Sequence, residues 1–147
     1  MRINILAIGK LKERYLIEAV EEYLKRLKPY ATVEIVELQE CRTIEEEGEK
    51  LISRLPKDSW ICVLDVFGEV MSSEQFAQTM SNLALNGQSK LVFVIGGAFG
   101  ISDKIRKIAN LRLSLSKMTF THQMTRLILI EQIYRAFKIN RGEPYHW

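Results

Sequence analysis

Leu91-Val92-Phe93-Val94-Ile95-Gly96-Gly97-Ala98-Phe99-Gly100 decides the fold class of this chain. Its first five residues are all apolar and four are β-branched or aromatic, followed at once by glycines. A strand with one wet face alternates. This one does not, so it reads as a strand covered on both faces. Residues 60–66 (Trp-Ile-Cys-Val-Leu-Asp-Val) give a second near-continuous apolar strand, and residues 2–8 a third that ends at Gly9. Residues 32–38 and 111–115 alternate as strands. Between the strands lie helix signals. Leu16, Ile17, Val20, Tyr23, Leu24 and Leu27 recur at helical spacing until Pro29 closes the run. Thr43 with Glu46 and Ser72 with Gln75 are capping-box pairs, the first leading into Ile44, Leu51, Ile52 and Leu55, the second into Phe76, Met80, Leu83 and Ala84. Ser102 caps a short helix, and residues 123–138 form a last one. Buried strands separated by helices predict an α/β fold, a parallel sheet with helices on both faces.

At 147 residues the chain fits one domain spanning 1–147, with no linker, repeat or low-complexity stretch. Apolar residues at 47% and charged residues at 27% exclude a disordered chain. Cys41 and Cys62 have neither metal-ligand spacing nor a disulfide-framework pattern. No apolar run approaches the roughly 20 residues that span a bilayer, and no signal peptide is visible, so a cytoplasmic location is expected. The net charge of +3 is unevenly spread. Residues 1–100 hold 12 Lys/Arg against 15 Asp/Glu, whereas residues 101–147 hold 9 against 3. A basic last third reads either as an anion-facing surface, RNA being one candidate, or as a solubilising helix face.

Ligands in parallel α/β sheets sit outside the carboxyl ends of strands, which directs attention to Gly9-Lys10 and to residues 64–68, 96–100 and 115–121. Neither GxGxxG nor a P-loop follows the first strand. Gly96, Gly97 and Gly100 admit two readings, a close ligand approach to the backbone or an ordinary strand-to-helix turn. Residues 114–122, Ser-Leu-Ser-Lys-Met-Thr-Phe-Thr-His, also admit two. Backbone groups there can grip a heterocycle between apolar walls from Leu115, Met118 and Phe120, or those side chains are core and the hydroxyls cap a helix. His122 and His146 are the two histidines, and imidazoles exchange protons near neutrality. The tail Glu143-Pro144-Tyr145-His146-Trp147 carries the composition of a segment that packs on something, its own domain included. Metal-ligand spacing and the GxSxG elbow are absent, so metal chemistry and serine hydrolysis are not expected.

Together, Gly96-Gly97-x-x-Gly100, the run Ser116-Lys117-Met118-Thr119-Phe120-Thr121-His122, Arg126 and Pro144-Tyr145-His146 resemble the ribosomal RNA large-subunit methyltransferase H family over essentially the whole chain. The resemblance implies a SPOUT enzyme whose C-terminal half forms a deep trefoil knot. It implies S-adenosyl-L-methionine as methyl donor, and N3 of a pseudouridine (of the position 1915 type) in 23S rRNA of the ribosome as acceptor. It implies a homodimer in which one protomer's tail reaches toward the other's pocket. Carried over residue by residue, the donor pocket uses Leu64, Gly96, Leu115, Ser116, Lys117, Met118, Thr119 and Phe120. Trp147 departs from the family's usual polar ending. A direct displacement needs alignment, and an imide N–H needs a base or anion stabiliser. The candidates are His146 and Tyr145, then His122, with Arg126 and Arg135 as cations, although Arg135 equally reads as a surface partner of Glu131. Phe99, Tyr145 or Trp147 is positioned in sequence to receive an unstacked base. The apolar run at 127–130 reads as a dimer face or as a core helix. A ribosome-associated assembly factor with the same fold and no catalysis is the alternative, distinguished by donor binding.

Overall fold

The structure is a computed structural model that describes residues 1–145. His146 and Trp147 lie outside the described residues. Five strands and five helices alternate in the expected order: β1 (Arg2–Ile8), α1 (Arg14–Leu27), β2 (Thr32–Leu38), α2 (Ile44–Ser53), β3 (Trp60–Val70), α3 (Ser73–Leu85), β4 (Lys90–Ile95), α4 (Asp103–Ile108), β5 (Leu111–Ser114) and α5 (His122–Asn140). All pairings are parallel, in the order β2-β1-β4-β3-β5.

The continuous apolar strands serve both faces of the sheet, as their composition required. Ile3, Ile5, Cys62, Leu91, Phe93 and Ile95 face one way, against Val20 and Leu27 of α1, Phe76 and Met80 of α3, and Leu129, Ile130 and Ile133 of α5. The intervening Leu6, Ile8, Val63, Val92 and Val94 face the other way, against Leu51 of α2 and Ile105 of α4. The Thr43 hydroxyl accepts from the Glu46 N–H, and Ser72 and Gln75 form a full reciprocal box. Ser102 accepts from Ile105 N–H, and Thr121 from Met124 N–H.

One expected boundary changes, and one open reading narrows. The strand read as 60–66 continues to Val70, because the ladder with β5 resumes after an excursion. The apolar run at 127–130 mostly belongs to the protomer's own core: Leu129 and Ile130 are fully buried, while Leu127 and Ile128 are half-buried. α5 packs against both α1 and α3. Its apolar character on several sides follows from that position, so it does not by itself mark a dimer face.

Candidate functional site

A cleft of about 880 Å³ opens at the carboxyl ends of β3, β4 and β5. That volume lies within the roughly 300–1,000 Å³ of small-molecule sites. Three strand-end segments supply most of its wall, with Glu13, Tyr15, Leu16 and Arg106 adding to it. Residues 64–67 come from β3, residues 95–101 follow β4, and residues 113–116 and 118–123 run from β5 into the first turn of α5. Of the eight residues assigned to the donor pocket, Leu64, Gly96, Leu115, Ser116, Met118, Thr119 and Phe120 line this cleft. Lys117 is exposed and is not among the lining residues.

The hydroxyls of this loop brace it and cap α5, and its apolar side chains line the cleft. Ser114 Oγ donates to the Ser116 carbonyl at 2.8 Å, and Ser116 Oγ accepts from Met118 N–H at 3.0 Å. Thr121 caps α5, with Met124 N–H at 3.2 Å. The hydroxyls therefore shape the loop, while Leu115, Met118 and Phe120 supply apolar wall. Gly96 serves the loop as well. A Cβ there would lie 2.5 Å from the Gly100 carbonyl oxygen and 2.7 Å from Ile101 Cγ2, so glycine lets residues 96–100 fold back on themselves.

Buried ion pairs flank the cleft on two sides. On one, Asp65 has a side chain only 1% exposed. Its Oδ2 accepts from Arg106 Nε at 3.2 Å and Arg112 Nη1 at 3.4 Å, and its Oδ1 from Phe67 N–H at 3.0 Å. On the other, Arg126 is spent internally. Its Nη1 pairs with Glu37, its Nη2 donates to the Gly9 carbonyl at 3.1 Å, and its Nε is buried without a partner. Glu37 also accepts from Leu11 N–H at 2.9 Å, closing a clamp between the ends of β1 and β2 and the start of α5. In this protomer Arg126 thus faces core and is not among the residues that line the cleft. Buried charges survive only when paired, and Glu37 is its pair. Arg126 shares the buried stripe of α5 with Leu129, Ile130 and Ile133. Asp65 is the one charge within the apolar run of residues 60–66.

His122 lines the cleft from the first turn of α5. Tyr145 does not line it. Its hydroxyl lies 3.4 Å from that of Tyr23 and 3.3 Å from Glu131 Oε1, its ring is 5.0 Å edge-on from Tyr134, and the Arg135 guanidinium sits 4.9 Å over it. Burial, then the Tyr23 hydroxyl, pushes the phenol up from its ordinary value. Glu131 and Arg135 stand nine and thirteen residues beyond His122, about 14–20 Å along the helix at 1.5 Å per residue. Tyr145 and His122 of one chain are therefore apart. His146, the first choice for proton handling, lies outside the described residues.

Seven of the nine cations of the last third are paired. Lys104 meets Glu49, Arg106 and Arg112 meet Asp65, Arg126 meets Glu37, Arg135 meets Glu131, and Lys138 and Arg141 meet Glu143. The sequence imbalance is thus partly neutralised by carboxylates contributed mainly from elsewhere in the chain. Among the described residues no helix is long and apolar enough to cross a membrane.

Comparison with known proteins agrees with the motif reading. Residues 1–146 match the family model described as "Predicted SPOUT methyltransferase". The chain is 49% identical to the ribosomal RNA large subunit methyltransferase H of Halothermothrix orenii, with 99% of each chain covered. It is 48% identical to the protein of that name from Pelotomaculum thermopropionicum (99% of this chain, 98% of the relative) and 46% identical to that of Carboxydothermus hydrogenoformans (99% of each). Matched by the family model over residues 1–146 and by full-length relatives at 46–49% identity, the chain belongs to the SPOUT methyltransferases, in the ribosomal RNA large subunit methyltransferase H family.

Proposed function

We propose that this protein transfers a methyl group from S-adenosyl-L-methionine to N3 of a pseudouridine in 23S rRNA, working on the ribosome in the cytoplasm as a homodimer. One observation carries the reading: the three segments bearing the family's motifs converge on a single cleft of small-molecule size at the strand ends. The cleft fits the donor. Leu64, Leu115, Met118 and Phe120 offer apolar wall to a heterocycle, Gly96 keeps the 96–100 turn closed, and the strand-end backbone offers hydrogen bonds to polar edges. When bound, S-adenosyl-L-methionine supplies an electrophilic methyl carbon on a sulfonium.

The chain's own residues then have two tasks, alignment and proton handling. Side chains fixed by packing and by the Thr121 cap hold the cleft floor in one geometry, which is where most of the rate of a direct displacement arises. The imide N–H of the acceptor must lose its proton, and His122, on the cleft wall, is the described side chain positioned to hold it. Tyr145, kept protonated by burial, acts as a hydrogen-bond donor and not as a base. That Tyr145 packs far along α5 from its own His122 supports a homodimer in which this end of the chain works at the second protomer's cleft. That arrangement makes two complete sites per dimer. We read the chain as knotted at this place. β5 lies at the sheet edge beyond β3, residues 115–121 pass beside the 96–100 turn, and α5 returns between α1 and α3.

The test is incubation of the protein and labelled S-adenosyl-L-methionine with ribosomes lacking the modification, followed by nucleoside mass analysis. Label is expected in an N3-methylated pseudouridine of 23S rRNA. Ribosome association without incorporation, and no heat on titrating the donor, would instead identify a non-catalytic assembly factor.

A further inference from the structure

We propose that Phe67, thrust out of β3 by an excursion of residues 65–68, stacks on an unpaired nucleobase of the RNA at the mouth of the cleft. The inference rests on the site being that of an RNA methyltransferase and names a substrate-side residue for it. Leu64 faces Leu113 of β5, and Glu69 faces the same Leu113 again, so four residues of β3 leave the ladder. Such an excursion gives up strand hydrogen bonds and re-aims side chains.

Three devices hold it. Asp65 Oδ1 accepts from Phe67 N–H at 3.0 Å, turning the chain. Asp65 Oδ2 takes Arg106 and Arg112, which fixes the turn from below. Gly68 presses on β5 so closely that a Cβ would lie 2.6 Å from the Arg112 carbonyl carbon and oxygen and 2.9 Å from Leu113 N, so only glycine fits. The outcome is a phenylalanine 80% exposed, five residues after a cysteine that is fully buried in the same strand. A chain folding for stability alone would bury that ring.

The surroundings select the occupant. Phe67 lines the cleft mouth from β3, and Phe99, 90% exposed, lines it from the turn after β4. The Arg106 and Arg112 side chains beneath the excursion remain 30% and 45% exposed. Lys107 on α4 and Lys117 on the 115–121 loop are exposed and outside every ion pair found among the described residues. Aromatic faces beside guanidinium and ammonium groups match single-stranded nucleic acid, whose bases stack while its phosphates meet the cations. An apolar partner surface would gain from the rings but would have to desolvate those charges.

The test compares wild type, Phe67→Ala, Phe67→Leu and Phe67→Trp on ribosomes lacking the modification. Co-sedimentation gives Kd, methyl incorporation gives kcat and KM, calorimetry reports S-adenosyl-L-methionine binding, and light scattering reports mass. Losing one stacked base is expected to raise Kd and KM about tenfold or more for Phe67→Ala. The change should fall in KM and not in kcat, donor heat and mass should match wild type, and Trp should restore affinity where Leu does not. Unchanged ribosome affinity in Phe67→Ala overturns the proposal. So does rescue by Leu equal to that by Trp, loss of donor heat, or a change in mass, which would assign Phe67 to the cofactor pocket or to a second copy. If wild type forms no methylated product yet Phe67→Ala still weakens ribosome binding, the catalytic reading fails and the stacking role stands.

Discussion

Replacing Glu37 by Ala should damage the protein more than removing the arginine it serves. Arg126 is 1% exposed, with one guanidinium nitrogen on Glu37, one on the Gly9 carbonyl and a third without any partner. Breaking a fully buried pair from one side costs about 3–5 kcal/mol, because the remaining charge is stranded. The Glu37 side chain is 35% exposed, so water reaches the vacated space and reduces that figure to about 2–3 kcal/mol. Leu11 N–H also loses its acceptor, which adds up to about 1 kcal/mol. Arg126→Met is a different case. It removes the buried charge together with its orphaned Nε, keeps the volume apolar and leaves Glu37 partly hydrated, so the loss should be at most about 1 kcal/mol. Urea unfolding at neutral pH and fixed protein concentration measures both. The double variant should be more stable than Glu37→Ala alone. Arg126→Met as unstable as Glu37→Ala, or Glu37→Ala within about 0.5 kcal/mol of wild type, would refute the stranded-charge account.

Gly96→Ala should abolish donor heat in calorimetry while far-UV circular dichroism stays native, since the new Cβ displaces the Gly100 carbonyl and with it the cleft wall; normal heat would remove Gly96 from the site. The Lys138 hydrogen bond lowers the Glu143 carboxyl below its unfolded value near 4.5, so the pair's contribution is present above that pH and is lost as pH falls through the lower folded value. The same bond raises Lys138 above 10.5, so the contribution is complete below that value and disappears as pH climbs through the folded one. Unfolding curves of wild type and Glu143→Gln should therefore differ at neutral pH and converge at the acid end. Cys62 is fully buried and its thiol is pushed up by burial, whereas Cys41 is half-buried. A thiol reagent should then titrate one cysteine in the native protein and two in urea.

Most of the architecture was written in local pattern. Unbroken runs such as residues 91–95 can satisfy only a strand with two covered faces, and capping residues at Thr43, Ser72, Ser102 and Thr121 each mark a helix start. The cleft walls were legible for a similar reason: parallel strands end on one side, so residues 64–68, 96–100 and 115–121 had to meet. What escaped was pairing at long range. The strand reads as ending at residue 66, and only the Leu113 register reveals one that leaves its ladder and returns. Arg126 reads as a cation for the reacting anion, and nothing local announces its partner Glu37, 89 residues earlier. Tyr145 reads as an active-site tail, but in the protomer it is gathered onto Tyr23 and Tyr134 by aromatic packing that no local spacing announces.

The two buried clusters have one physical consequence in common. An ion pair taken out of water repays its desolvation only partly, so Asp65 with its arginines and Arg126 with Glu37 contribute little net stability over apolar side chains of the same size. Their effect is on position. A leucine in a core tolerates a small slide, whereas a buried charge that slides loses its partner and incurs the full penalty. Asp65 fixes the excursion of β3 on one wall of the cleft, and Glu37 with Arg126 fixes the start of α5, which carries His122, on another. Methyl transfer by direct displacement gains chiefly from orientation, with reacting atoms held about 3–3.5 Å apart. Walls that cannot drift are what such a reaction requires.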